Sequence, residues 1–246
     1  MHRTELTLAT DLDGTFLGGT HSARTRLYQQ LTRKQSECRL VFVTGRDLGF
    51  IEQIIAAGEV PRPDFIVGDI GTTVADGRTL SHYLPIEGHI AEAWQDASQR
   101  VAELLADAPG LTPQPGPFRY RLSYYYDNTF DPTILSAIDA VGLDWLMSAG
   151  IYLDILPKGV NKGTTLLKLL GHLGVASDSV VCAGDTLNDL ALFETGLPGI
   201  VVGNAEPVLL EKTRSMPNTY HSIGHGSEGI LEGLNYFGYG ELVNHE

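Results

Sequence analysis

Leu6-Thr7-Leu8-Ala9-Thr10-Asp11-Leu12-Asp13-Gly14-Thr15 is an apolar-rich run that ends directly in an acid pair. Such a run reads as a buried central strand whose carboxyl end delivers Asp11. Asp13 follows two residues later, and Gly14 allows the tight turn that points both carboxylates into one crevice. Two carboxylates ~4 Å apart repel by ~4 kcal/mol at an effective dielectric of about 20. A hard cation relieves that repulsion, or one acid keeps a proton. Alone, the segment also fits a solvated turn or the start of a calcium loop, but the remaining ligand positions of such a loop are absent.

The pattern repeats outward from this stretch. Residues 40–43 form a second apolar run that ends at Thr44-Gly45-Arg46, followed by a helix over 47–57 with Asp47 as its N-cap. Residues 65–67 form a third strand, followed by the loop Gly68-Asp69-Ile70-Gly71-Thr72. From residue 82 the alternation breaks. A helix over 90–105 precedes a proline-rich stretch, an aromatic strand over 119–126, a helix over 132–141, and two strands around Ser148-Ala149-Gly150. Strands joined by so short a turn pair antiparallel. Alternation resumes with a helix over 163–173 and a strand over 180–183. A helix over 188–194, a strand over 200–202, and helices over 207–213 and 229–237 follow. The fold class is therefore α/β: a doubly wound, Rossmann-like parallel core (1–81 and 158–246) with an inserted α+β domain (82–157). In such sheets ligands bind beyond the carboxyl ends of the strands, where Asp11, Thr44 and Asp185 all fall.

Two further segments complete a phosphate-handling set. Lys162, in Asn161-Lys162-Gly163, opens a helix, a position that opposes the helix dipole unless an anion is bound. Gly184-Asp185-Thr186-Leu187-Asn188-Asp189 places two carboxylates around Asn188 at a strand-to-helix junction. Mg²⁺ takes six oxygens, and Asp11, the Asp13 backbone carbonyl and Asp185 supply three, with Asp189 direct or through water. Asp11 reads as nucleophile and Asp13 as acid/base. Thr44, Gly45 and Lys162 read as phosphate binders, and Asn188 as an orienting group. Each segment alone has an ordinary explanation as a cap, a turn or a solvated face; together, in this order, they point to phosphoryl transfer.

Seventeen Lys+Arg against 30 Asp+Glu give a net charge of −13. No basic face for nucleic acid is expected, and an anionic substrate must be drawn by local cations. Cys38 and Cys182 have neither zinc nor disulfide spacing, and Cys182 reads as a reduced core thiol. No apolar stretch reaches ~20 residues, so no membrane association and a cytoplasmic location are expected. His221 and His225 read as surface residues without metal-ligand spacing.

The four segments resemble the motifs of the haloacid-dehalogenase-like phosphatases: Asp-x-Asp-x-Thr, Thr, Lys and Gly-Asp-x-x-x-Asp. The resemblance implies Mg²⁺-dependent hydrolysis of a phosphomonoester through an aspartyl-phosphate, with the insert acting as a cap over small substrates. Several stretches are similar to the sucrose-phosphate and mannosylfructose-phosphate phosphatases: Leu153-Asp154-Ile155-Leu156-Pro157-Lys158-Gly159-Val160-Asn161-Lys162-Gly163, Gly199-Ile200-Val201-Val202-Gly203-Asn204-Ala205 and Gly229-Ile230-Leu231-Glu232-Gly233-Leu234. The first motif carries Asp-Gly-Thr where many sucrose-phosphate enzymes have Asp-Asn-Thr. A disaccharide pocket needs polar groups and flat rings, and Arg46, Gly71, Thr72, Arg121, Tyr124, Asp154, Lys158 and Asn204 are its candidates. Strand alternation sets Arg121 and Tyr125 on one face and Tyr124 and Tyr126 on the other, with the inward face left open.

The expected activity is removal of phosphate from a phosphorylated disaccharide, sucrose 6-phosphate first, with another sugar phosphate, a phosphosugar mutase or a silent sugar-phosphate sensor as alternatives. The partner expected is the small sugar phosphate, for a monomer or weak dimer, with a glycosyltransferase as the macromolecule to associate with.

Overall fold

A computed structural model describes residues 6–243 of the chain. The larger sheet contains β1 (Leu6–Thr10), β2 (Cys38–Val43), β3 (Phe65–Gly68) and β4 (Thr73–Asp76). The smaller contains β5 (Leu111–Pro113), β6 (Leu122–Tyr126), β7 (Leu143–Ser148) and β8 (Tyr152–Pro157). The chain then returns to the larger sheet with β9 (Val180–Gly184), β10 (Gly199–Val201) and β11 (Thr219–His221). The seven-stranded order is β11-β10-β9-β1-β2-β3-β4, parallel except for β4, and the four-stranded order is β5-β6-β8-β7. This is the α/β architecture the alternation predicts.

Register brings the motifs together. Thr10 is paired with Phe42 on one side and with Ala183 on the other. Asp11, Thr44 and Asp185 therefore leave the sheet at the same edge, where the chain runs to β2 on one side and to β9 on the other. That reversal of strand order opens a crevice. β1 is wholly buried, with Leu6 and Leu8 in the core on one face of the sheet and Ala9 in the core on the other. A fully buried Leu, Ile or Phe contributes roughly 1.5–3 kcal/mol, so the strand carrying Asp11 is firmly placed.

The smaller sheet has its own apolar cluster, including Trp94, Val101, Leu135, Ile138, Leu153 and Ile155. The single helix expected over 90–105 is two, Leu84–Trp94 and Ser98–Leu105, broken by left-handed Gln95 and Asp96. The first helix serves two cores: Ile86 and Ile90 pack against the larger sheet and Trp94 against the smaller. The break re-aims the chain so that Ala97, Val101 and Leu105 stay with the second core. The helix expected over 132–141 is likewise a tight turn, Pro132–Leu135, followed by Ser136–Ala140. β4, β5 and β11 were not expected. All three are short edge strands, and β5 contains Pro113, which the edge tolerates. No helix among the described residues is long and apolar enough to cross a membrane.

Candidate active site

The turn after β1 is tightly built. Phe16 and Leu17 donate their amides to the carbonyls of Asp11 and Leu12 at 3.2 and 2.8 Å, and Gly14 interrupts the coil with φ +77°. A Cβ at Gly14 would lie 2.1 Å from an Asp185 carboxylate oxygen, so glycine lets the first acid segment meet the last. Thr15 Oγ1 donates to Asp185 Oδ1 at 2.9 Å, tying the two segments directly.

Lys162 is fully buried at the start of the helix Lys162–Leu173, which Asn161 and Thr164 cap reciprocally. Its Nζ donates to Asp11 Oδ1 at 2.8 Å, to Asn188 Oδ1 at 2.6 Å and to Asp189 Oδ1 at 2.6 Å. Burial works against its charge, but the carboxylates of Asp11 and Asp189 outweigh it and hold the ammonium above its ordinary range. Burial also pushes the Asp11 carboxyl well up; Lys162 opposes that shift, while Asp189 and Asp185 add to it. Asp185 is pushed up to about 7 by burial and by Asp189, against the Thr15 hydroxyl.

Asp189 is committed on both oxygens, because Oδ2 accepts the amides of Asp185 and Thr186 at 3.0 and 3.1 Å. Oxygens of Asp11, Asp185 and Asp189 lie within 4.8 Å of one another, all buried. Three buried carboxylates against one lysine leave negative charge that a divalent cation neutralises, and an all-oxygen donor set suits a hard one. The side chain of Asp13 stands outside this group. It is half-exposed and gripped by Arg46, whose Nε and Nη2 donate to its two oxygens at 2.8 Å each. Arg46 in turn lies over the Phe50 ring at 4.3 Å.

Thr44 is fully buried, its amide bonded to Val67 O and its hydroxyl accepting the Arg46 amide at 3.2 Å. Gly45 and Arg46 line a cavity of about 320 Å³ between the two sheets. Asp11, Asp13 and Asn188 form its floor, and Arg121, Tyr125, Tyr152 and Asp154 its opposite wall. Arg121 is buried, with Nη1 on Asp154 Oδ1 and Nη2 on Gly45 O, both at 3.1 Å. Burial raises the carboxyls of Asp69 and Asp154, and Arg121 opposes the rise at each.

Several sugar-contact candidates lie elsewhere. Tyr124 is buried in the core of the smaller sheet, since its partner Leu153 faces that core; Tyr125, opposite Tyr152, faces the cavity. Lys158 is exposed outside the cavity and bound to Asp144 at 2.5 Å, in a turn where Asp144 also accepts the Gly159 amide. Thr72 is buried and bonds Asp69 O. Gly71, at φ +99°, lets the chain pass Asn161, where a Cβ would sit 2.4 Å from the backbone. Asn204 bridges Gly14 O and Asp185 Oδ2 at 3.0 and 3.3 Å and accepts the Gly226 amide, a brace behind the acid cluster rather than a cavity wall. The sequence reading missed Thr15, Gln114, Ser148 and Tyr152. Only Thr15 carried a signal, its place in the first motif. Cys182 is a buried thiol, pushed up to about 12 by burial.

The chain is 40% identical to the glucosylglycerol-phosphate synthase of Pseudomonas anguilliseptica over 94% of its length, yet spans only 31% of that protein. It is 30% identical to the mannosylfructose-phosphate phosphatase of Agrobacterium fabrum, covering 94% of this chain and 96% of the relative. The sucrose-phosphatase of Synechocystis, solved with sucrose and phosphate, superposes with a TM-score of 0.86 at 24% identity, covering 96% of this chain and 99% of that one. The model of the sucrose-6F-phosphate phosphohydrolase family matches residues 4–238, and the chain belongs to that family.

Proposed function

We propose that the chain is a Mg²⁺-dependent phosphomonoester hydrolase acting on a small phosphorylated glycoside, with sucrose 6-phosphate as its first substrate. The observation that carries this is the fully buried Lys162, 2.8 Å from Asp11, beneath a cavity whose far wall is polar and aromatic. Asp11 attacks phosphorus, an Asp11 oxygen–phosphorus bond forms, and the bond to the glycoside oxygen breaks. Asp13, once released from Arg46, gives a proton to that oxygen, then takes one from the water that cleaves the aspartyl-phosphate. Lys162 holds Asp11 aligned and offsets charge on the phosphoryl group, helped by the Thr44 hydroxyl and the Gly45 amide. Asp11, Asp185 and the Asp13 carbonyl would hold the ion, with Asp189 orienting Asp185. When bound, the ion supplies the positive charge that lets a phosphate dianion approach a cluster of acids.

A second reading, glucosylglycerol phosphate, is favoured by the 40% identity to a synthase named for that compound. A phosphatase beside such a synthase would consume its product, and the glycosyltransferase association belongs to this reading. The domain division at residues 82 and 157 belongs to the proposal too, with the smaller sheet acting as the specificity cap. The test is inorganic phosphate release from sucrose 6-phosphate, mannosylfructose phosphate, glucosylglycerol phosphate and simple hexose phosphates, with Mg²⁺ and with EDTA. Release without a bisphosphate activator separates the hydrolase from a mutase. Tight binding without release from any ester would replace the hydrolase by a sensor.

A further inference from the structure

Arg121 does more than line the cavity. It precedes β6, yet its guanidinium reaches across to the other sheet. Nη1 stays on Asp154 of β8, which Ser123 Oγ fixes at 2.5 Å, while Nη2 bonds Gly45 O, in the loop after β2. The same Nη2 lies 3.1 Å from Asp69 Oδ1, after β3, at an angle that makes an ion pair rather than a hydrogen bond. The Phe118 ring, 4.4 Å from Cζ, sets the plane of the fork.

The two loops it touches are joined to each other. Asp69 N donates to Arg46 O and Ile70 N to Thr44 O, both at 3.0 Å, and Thr73 Oγ1 holds Asp69 Oδ2 at 2.7 Å. Asp69 and Ile70 both have positive φ, 51° and 58°, which is costly for a β-branched residue. Asp69 Oδ1 is buried with Arg121 as its ion-pair partner, and Arg121 Nε is buried with no protein acceptor. Such a polar joint is less favourable for stability than an apolar one of the same shape.

We propose that Arg121 is a positioning residue, which couples docking of the four-stranded sheet to the geometry of the phosphate-binding loop 44–46. By pinning the Gly45 carbonyl it fixes the following peptide, and with it the Arg46 amide and the Arg46 side chain that grips Asp13. A planar fork is required, because it serves acceptors in both sheets at once; a lysine offers a single point of charge. The inference rests on the phosphatase reading for its kinetic arm alone.

The experiment compares Arg121→Gln, Arg121→Lys and Asp69→Asn with the parent protein. Kinetics use a glycoside phosphate and p-nitrophenyl phosphate, which has no sugar to contact. Amide hydrogen exchange is read in peptides covering 44–50 without substrate. The expected result is a kcat ~10–100-fold lower on both esters with KM within ~3-fold, as for a misplaced reacting group. Exchange in 44–50 rises ~10-fold or more, and lysine does not rescue. A raised KM for the glycoside alone with unchanged loop exchange would make Arg121 a sugar contact and overturn the proposal. So would faster exchange confined to the four-stranded sheet. If Arg121→Gln does not fold, Asp69→Asn, on the larger sheet, decides by the same readouts. If the parent protein releases no phosphate from any ester, the phosphatase reading falls, and the exchange measurement still decides the role of Arg121.

Discussion

Lys162 and Arg121 are both buried cations with three oxygen partners each, but they are buried for different reasons. Lys162 sits within one sheet's ligand-binding edge, and its partners Asp11, Asn188 and Asp189 leave neighbouring strands β1 and β9. Arg121 sits between two sheets, and its partners Gly45, Asp69 and Asp154 belong to both. The first arrangement follows from strand register, because residues at the ends of paired strands cannot be far apart. The second depends on how two separately cored layers meet. On the proposed reading, chemistry sits on the edge that register fixes, and its adjustment on the joint.

The largest effect separating the two regions is at the nucleophile. Asp11→Asn is expected to lower kcat by ~10⁴-fold or more, the scale seen when a covalent nucleophile is removed. The far-ultraviolet spectrum should be retained and the melting temperature nearly so, because asparagine keeps an oxygen acceptor for Lys162 and Asp189 still balances the lysine's charge. Retained turnover would remove Asp11 from its role. Arg121 variants, by contrast, should keep ~1–10% of the rate.

Next comes the cation itself. Lys162→Met leaves Asp11 and Asp189 facing each other in a dry site, and breaking a buried pair on one side costs ~3–5 kcal/mol. Urea denaturation should show that loss. Restoring the midpoint by also replacing Asp189 with Asn would confirm that the deficit comes from uncompensated charge. An unchanged midpoint for the single variant would mean that the acids already share protons.

This contrast also explains what the sequence could reveal. The strand-end acids, Thr44 and Lys162 were legible because each follows or precedes an apolar run, and the parallel alternation forces those ends together. Tyr124 and Tyr125 were not separable, since alternation gives two faces without saying which one meets a core; the second cluster, around Leu153 and Ile155, takes Tyr124. Lys158 was misplaced for a related reason. Its neighbour Asp154 lies on the cavity side of β8, but the turn after Pro157 swings the lysine onto Asp144. The break at Gln95 was invisible because one apolar periodicity continued into a second core.

A smaller, pH-dependent effect sharpens the reading of the metal site. Asp185 is held up to about 7 in the folded chain, against about 3.9 when unfolded. The folded state binds the proton more tightly, so without metal its stability falls as pH rises from about 4 to about 7. For Asp185 alone the loss is at most ~4 kcal/mol. Mg²⁺ favours the ionised carboxylates and should recover it, raising the melting temperature more at pH 8 than at pH 5. A Mg²⁺ increment that is equal at the two values, or larger at pH 5, would place the ion elsewhere.

The smallest expected effects on turnover test the joint residue by residue. Tyr124→Ala removes a ring packed among Leu153 and its neighbours and should cost ~3–5 kcal/mol, with KM of the surviving folded protein unchanged. Tyr125→Ala, on the opposite face of the same strand, should leave the melting temperature within ~2 °C, since surface changes cost little, while raising KM for a glycoside phosphate several-fold. p-Nitrophenyl phosphate should not register that change, because a ring on the far wall touches the glycosyl part and not the ester. Lys158→Ala should move neither constant. If instead Tyr124→Ala raised KM and Tyr125→Ala lowered stability, the smaller sheet would be docked through its other face, and the cavity between the sheets would lose its far wall.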